Sequence, residues 1–467
     1  MPSTHPRAPH PRVRTPGGPA ELPRWRAPSR RSPTHRDAPC SGAGPRARPP
    51  GPEPLHPFRI LPRSLRSPQL ALPTHLQTEP SVQPPSSLAY VDDKRQLIVL
   101  DPSGTQRALS GGDDLLWATW GQSAPSDVHS WPTWSPDGQR LAAFRIAKSG
   151  DHSRVWATDI DGVHSAEISA MGRRIPIYLQ WSTDGSRLAV LSQDDSELVL
   201  QVADPLAEAS DVELLRGSPL FFTWVSGDRL ATFVGEGTPT KPHLAVLSPG
   251  GARLDLPGAP GNFCAPVSLP RGVAYVAHVH QQVVVMVSSL DGRRITELEV
   301  VDGLVALLAS PDGRFLARAI SPDGSGSPYH QLELLEVATA RAQPITDAPC
   351  VAFFWLPSGE GLVVASREGD RAEVSWSWIE LDGTSHPLME LIPSRDTRVY
   401  LRFFEQYGPS HPIVDPTGSV LALCGTRPGE DEGPSRVYLV PLDGGLPEEI
   451  GGGLFATFAP NPSAVEP

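Results

Sequence analysis

The chain has 467 residues, 39% of them apolar and 20% charged, with a net charge of −12. That length suits roughly two to four domains, or one large all-β domain with a tail, and no stretch approaches the roughly 18 uninterrupted apolar residues of a membrane-spanning helix. Cys40, Cys264, Cys350 and Cys424 lie far apart with no CxxC pair, which excludes zinc ribbons, disulfide scaffolds and thioredoxin-like redox motifs.

Composition divides the chain near residue 85. Residues 1–85 hold 22 of the 54 prolines, 13 arginines, no lysine and four acids, a net of +9, while the remaining 382 residues carry −21. Dense proline removes backbone donors and blocks helix and strand interiors. The apolar residues there follow neither a period of 2 nor one of 3.6, so 1–85 is expected to be a disordered tail. No signal peptide is visible, because the longest apolar run is Leu70-Ala71-Leu72. The arginines are not clustered and no aromatics interleave them, so no nucleic-acid partner is expected. The next methionine after Met1 is Met171; a start codon near Val82 or Leu88 would make the tail a gene-start artefact.

From residue 86 one pattern recurs. An apolar segment, often ending in Trp, meets a Ser-Pro-Asp-Gly turn; a strand, a polar loop, an alternating strand, an Asp-x-Asp-Gly turn and a short strand follow. Trp134-SPDG-QRLAAFRI, Trp181-STDG-SRLAVLS and Ala309-SPDG-RFLARAIS show its first half plainly, and the units beginning at Trp224, Val267, Trp355 and Val414 are weaker copies. First turns begin near 135, 182, 225, 268, 310, 356 and 415, and second turns near 101, 159, 204, 248, 289, 336, 380 and 441. Four short strands per roughly 40–45 residues is the period of a propeller blade. The fold expected for 86–462 is therefore an all-β propeller of eight four-stranded blades. Seven is the alternative if the weak unit at 262–303 merges with a neighbour. The first unit lacks an inner strand, and Leu454–Phe458 supplies one from the other end, closing the ring and hiding strand edges. No segment between 131 and 450 shows a sustained helical period, and none of the blade strands is expected to be helical.

The W-S-P-D-G-x-x-L-A pattern at 134–142, 181–189 and 309–317 resembles the repeat of TolB-type bacterial β-propellers, and is similar to the propeller half of dipeptidyl-peptidase-type enzymes. The resemblance covers nearly all of 86–460 and implies protein or peptide binding, with no catalytic residues in the blades. The chain departs from the peptidases in having no hydrolase domain beside the propeller, and from TolB in having no small domain before it.

The repeated residues have structural roles. The column Trp134, Trp181, Trp224 and Trp355, replaced by Val267, Ala309, Val414 and Phe458 in other units, is expected to wedge one blade on the next. The Asp-Ile-Asp-Gly at 159–162 lacks the remaining ligands of a calcium loop and is read as a turn.

Two inserts stand out. From second turn to next first turn most units take 18–23 residues, but 101–135 takes 34 and 380–415 takes 35. Both fall on the face that carries the loops between second and third strands and the blade-to-blade connections. Long inserts on one face of a repeat array are where binding resides. The first holds Asp113, Asp114, Trp117, Trp120, His129 and Trp131; the second holds Arg395, Arg398, Tyr400, Arg402, Phe403, Phe404, Glu405, Tyr407 and His411. Aromatic residues and arginine dominate interface hot spots, so Trp117, Trp120, Trp131, Arg398, Tyr400, Arg402, Phe404 and Tyr407 are the candidate binding residues. The competing reading has Leu115, Leu116, Trp117, Phe403 and Phe404 anchor the inserts to the ring as a small helix or cap.

Acidic pairs at Asp92-Asp93, Asp194-Asp195, Glu368 with Asp370, and Glu430-Asp431-Glu432 favour a protein or peptide partner of basic character. The loop histidines, His278 and His280 included, show no convergent metal spacing. There is no GxSxG, P-loop or dinucleotide fingerprint. No catalytic residue, metal or cofactor is assigned. The expected function is a non-catalytic, monomeric scaffold, the alternative a hydrolase or lyase at the channel mouth. Unpaired cysteines favour the cytoplasm, with export as the alternative.

Overall fold

The structure, a computed structural model, describes residues 83–109, 127–147, 152–205, 211–235, 237, 241–261, 264–321, 327–430 and 433–460. The tail expected to be disordered, up to residue 82, and the middle of the first insert lie outside these residues.

Among the described residues the strands form seven sheets: five of four strands, one of five and one of seven. The innermost strands of the second, third, fourth and sixth sheets are Val128–Trp134, Ile175–Trp181, Leu220–Val225 and Leu304–Ala309. They are clamped between neighbouring sheets. Leu220–Val225 is buried at every position, which is why its sequence, LFFTWV, reads as a nearly continuous apolar run and does not alternate. The outermost strands are exposed, as at Gln106–Ala108.

The weak unit does not merge. Its strands form the fifth sheet, with the inner position split into Ala259–Pro260 and Val267–Leu269, both paired to Gly272–Val279. The seven-stranded sheet carries two sequence units. Cys350–Trp355 to Ser385–Pro393 make the first, and Val420–Thr426, Arg436–Pro441 and Glu448–Gly452 the second, joined at Ile392↔Thr426 and Pro393↔Gly425. The last unit has no four-stranded sheet of its own: its inner strand shrinks to one bridge, Val414↔Leu421. Counted by sheets there are seven, and counted by sequence units eight.

The two ends of the described chain meet as expected. Phe455–Phe458 pairs antiparallel with Leu88–Val91, and Leu97–Leu100 and Gln106–Ala108 continue the same sheet outward.

The Trp column is a set of wedges with a bond attached. Each indole N–H donates to a backbone carbonyl on the inner strand of the preceding sheet: Trp134 to Thr457 (3.1 Å), Trp181 to Thr133 (3.1 Å), Trp224 to Gln180 (3.0 Å) and Trp355 to Leu308 (3.1 Å). The acceptor is always the residue just before the column position on that neighbour. One side chain thus fills the seam and satisfies a carbonyl that would otherwise be buried and unpaired.

The Ser-Pro-Asp-Gly turns are held by two side chains. In the third sheet, Ser182 Oγ donates to Asp184 and accepts from Arg187 N (2.9 Å), while Asp184 accepts from Ser186 N (2.9 Å). Ser310 and Asp312 repeat this. These bonds hold the Asp184 carboxyl below its ordinary range. Gly313 has φ +69°, and a Cβ there would lie 2.4 Å from Pro270 Cδ in the adjoining turn, so no other residue fits.

Two helices nonetheless stand between 131 and 450, where the sequence shows no sustained helical period: α1, Arg395–Arg402, and α2, Phe404–Tyr407, in the insert for which a small helix or cap is the competing reading. Both lie in the second insert and neither replaces a blade strand, so the ring is unaffected.

Trp181→Phe keeps the wedge but removes the donor to Thr133, and is expected to cost about 1–3 kcal/mol. Trp181→Ala also opens a cavity and should cost about 3–5 kcal/mol. The shift in urea midpoint at constant slope measures both.

Candidate functional site

The second insert turns into the ring. Ser394 starts α1, its Oγ accepting from Thr397 N at 2.9 Å, and Asp396 sits in the first turn and Arg402 in the last, each matched to the helix dipole. Thr397, Tyr400, Leu401, Phe404 and Tyr407 recur at steps of three and four, and all are buried. This face enters the interior of the ring.

There the insert bonds to every sheet among the described residues. Asp396 takes two bonds from the Arg95 guanidinium of the first sheet, at 3.0 and 3.1 Å. Ser410 O accepts from Thr133 Oγ1 of the second sheet (3.1 Å). Ser410 Oγ pairs with Tyr178 OH of the third (2.6 Å), and Tyr407 OH donates to Ile177 O. Gln406 behaves like a strand residue against the fourth sheet, its Oε1 accepting from Phe222 N (3.1 Å) and its Nε2 donating to Phe222 O (2.6 Å). Glu405 Oε1 accepts from Leu307 N of the sixth sheet (3.0 Å) and from Cys264 Sγ, between the two halves of the inner position of the fifth (3.3 Å). Tyr400 stacks on Phe354 of the seventh with centroids 5.3 Å apart, and Phe404 meets Phe353 edge-on at 4.8 Å.

The first insert joins this cluster through its described end. Trp131 and Pro132 bulge out of the ladder between Ser130 and Thr133, with Trp131 at φ +53°. A bulge re-aims a side chain, and the Trp131 ring packs on Tyr407 at 4.5 Å and on Phe455 at 5.1 Å.

The eight candidate binding residues therefore separate. Trp117 and Trp120 lie outside the described residues. Tyr400, Phe404 and Tyr407 are at most 3% exposed and hold the plug in place, the anchoring role that the sequence reading gave to Phe404. Trp131 is half-buried against them. Arg398 and Arg402 are exposed, with Arg395 and Val399, along the outer edge of α1. Sequence reasoning missed Gln406 and Ser410 altogether; nothing in an isolated Gln or Ser announces a backbone partner on another sheet.

Two cavities open beside that edge, at the starts of the inner strands. One, of about 360 Å³, is apolar and includes Ile177, Leu198, Pro219, Phe221, Val399 and Phe403. The other, of about 450 Å³, includes Tyr329, Arg367, Leu401, Phe403, Arg398 and Arg402. A third, of about 320 Å³, lies at the opposite ends of the inner strands, under Pro409 and Pro412.

The acidic pairs seen in the sequence are partly neutralised. Asp194 is bonded by Arg216 at 3.0 Å and lies 3.6 Å from Arg174. Among the described residues no three or more His, Cys, Asp or Glu side chains gather as a metal site. His129 is buried with neither ring nitrogen bonded; burial and the nearby Arg145 hold its pKa down to about 4. No helix of the described residues is long and apolar enough to cross a membrane.

Burial pushes the Glu405 carboxyl up from 4.5 to about 8, against the opposing bond from Leu307 N. Burial holds His411 down from 6.5 to about 3. A carboxyl whose folded pKa is raised stabilises the fold below its unfolded pKa and loses that contribution as pH climbs to the folded value. Glu405→Gln should therefore gain stability over the parent as pH rises from 4.5 to 8, with no gain below 4.5; urea midpoints of both proteins across this range read the difference. Gln406→Leu strands the Phe222 N–H and C=O inside the ring and should cost about 2–4 kcal/mol by the same assay.

No protein-family model matches the sequence. The Tol-Pal system protein TolB of Zymomonas mobilis is 31% identical over 65 residues, 14% of this chain. The match spans only 13% of that relative's length. Similar solved structures include TolB from Acinetobacter baumannii, at 16% identity and TM-score 0.37 over 66% of this chain and 65% of that one. The β-propeller domain of the trilobed protease from Pyrococcus furiosus gives 14% and 0.42, over 62% and 86%. Oligogalacturonate lyase from Vibrio parahaemolyticus gives 10% and 0.43, over 78% and 84%. In its repeat and its ring of sheets, the chain resembles the TolB-type β-propellers.

Proposed function

We propose that the chain is a non-catalytic scaffold that docks a protein or peptide on the face carrying the two inserts. The observation behind this reading is the division of α1. One side is committed to the interior, and the other leaves Arg395, Arg398, Val399 and Arg402 exposed between two cavities. A backbone already bonded into a rigid frame adds no ordering cost of its own on contact, which favours binding. Arginine beside apolar pockets is the composition of interface hot spots.

The scaffold acts as a monomer in this reading. The cytoplasmic placement drawn from cysteine usage belongs to the same proposal, and the three described cysteines, Cys264, Cys350 and Cys424, are buried free thiols. In this reading the partner meets the arginines along α1; of the peripheral acids, Asp194 is already paired with Arg216.

A photo-crosslinking residue at Val399, compared with one at Leu446 on the opposite face, tests the reading in the producing cell. Val399 is 36% and Leu446 88% exposed. A discrete adduct is expected from position 399 and none of the same mass from 446. No adduct, or the same adducts from both positions, would overturn it.

A further inference from the structure

The 450 Å³ cavity beside α1 is lined by Arg367, Arg398 and Arg402, and by no carboxylate among the described residues. Its floor is apolar: Leu304, Tyr329, Val351, Val374, Leu401 and Phe403. Arg367 sits in the loop after Gly361–Ser366, and its Nε is shielded from solvent without a hydrogen-bond partner. None of the three guanidinium groups forms an ion pair with a described residue, and the Arg402 guanidinium lies 5.5 Å from the Phe403 ring. Several other arginines are ion-paired: Arg95 with Asp396, Arg154 with Asp127, Arg187 with Asp228 and Arg318 with Glu299 and Glu333.

Three cations left together in a protein whose residues 86–467 carry a net of −21 need a reason. Like charges held in one cavity repel, and a buried guanidinium N–H without an acceptor costs free energy. Both costs disappear when an anion enters. The guanidinium fork matches the two oxygens of a carboxylate, and the apolar floor suits the body that carries one.

We infer that this cavity receives an acidic side chain of a peptide segment, with an apolar neighbour seated against Tyr329, Leu401 and Phe403. The inference rests on the scaffold reading and narrows it to a partner segment rich in Asp or Glu, opposite in sign to the partner that the loop charges in the sequence favour. Arg398 and Arg402 face solvent along α1, so replacing them leaves the anchoring residues untouched.

The test uses the full chain and two biotinylated hexapeptide pools, four positions randomised and the central pair fixed as Asp-Asp or as Asn-Asn. Retention of the Asp pool should exceed that of the Asn pool by about ten-fold, and R398Q/R402Q, shown by thermal denaturation to keep its fold, should abolish the preference. Added salt should weaken the wild-type preference. Equal retention of the two pools, or a preference that survives R398Q/R402Q, would sink the assignment. So would saturable binding of inorganic phosphate to the wild type without any preference between pools. The Val399 crosslink separates the two ideas: an adduct that forms equally in R398Q/R402Q keeps the scaffold and removes the anion cavity.

Discussion

The pairing of Leu88–Val91 with Phe455–Phe458 joins segments more than 350 residues apart in the chain. Without that ladder the first sheet would lack its innermost strand, the edges at Leu88 and at the last unit would be open, and the interior would have a gap where the Tyr400 ring meets Phe455. Open edges template association with other chains. The ladder also sets the Thr457 carbonyl where the Trp134 indole needs it. Closure and seam packing are thus one constraint, since a slip of one residue in the ladder would turn Phe455 and Thr457 to the wrong faces.

Within the closed ring the second insert is a plug built from ordinary chemistry. Its aromatic residues supply apolar volume, and its polar residues satisfy backbone groups of the inner strands that no neighbour reaches. Gln406 does so most fully, with one amide answering both the N–H and the C=O of Phe222. A ring interior of this size must be filled or wetted. Here the chain fills it with itself, and what it offers outward is what is left of α1.

The ring was readable from local signals repeated many times. The Ser-Pro-Asp-Gly turns, the Trp column and the orphan strand at Phe458 each carry their own chemistry, and their spacing fixes the order of the sheets. The plug was readable only as one of two alternatives, a small anchoring helix or cap, although Thr397, Tyr400, Leu401 and Phe404 follow a helical period and Ser394 is a capping residue. The run is eight residues long, too short to stand out, and its burial depends on an interior that exists only once the distant units have assembled. The same applies to charge. Asp194 looks like a free acid in the sequence, but its partner Arg216 arrives on another strand 22 residues later. Arg398 and Arg402 look like members of a mixed insert until the structure sets them beside Arg367.

The indole bonds are unevenly distributed. Three consecutive seams, from the first sheet to the fourth, have one, and so does the seam between sixth and seventh. Where Val267 or Ala309 takes the Trp position, the seams on either side of the fifth sheet have none. The plug touches every sheet, and two of its bonds fall where an indole bond is missing: Glu405 ties Cys264 and Leu307 across the fifth and sixth sheets, and Pro412 O accepts from Phe458 N at the closing seam. The molecule is mechanically two stiff arcs with a keystone between them. With no indole bond on either side, the fifth sheet draws its side-chain tie to the sixth from Glu405 of α2, on the flank of the ring far from the ladder that locks it.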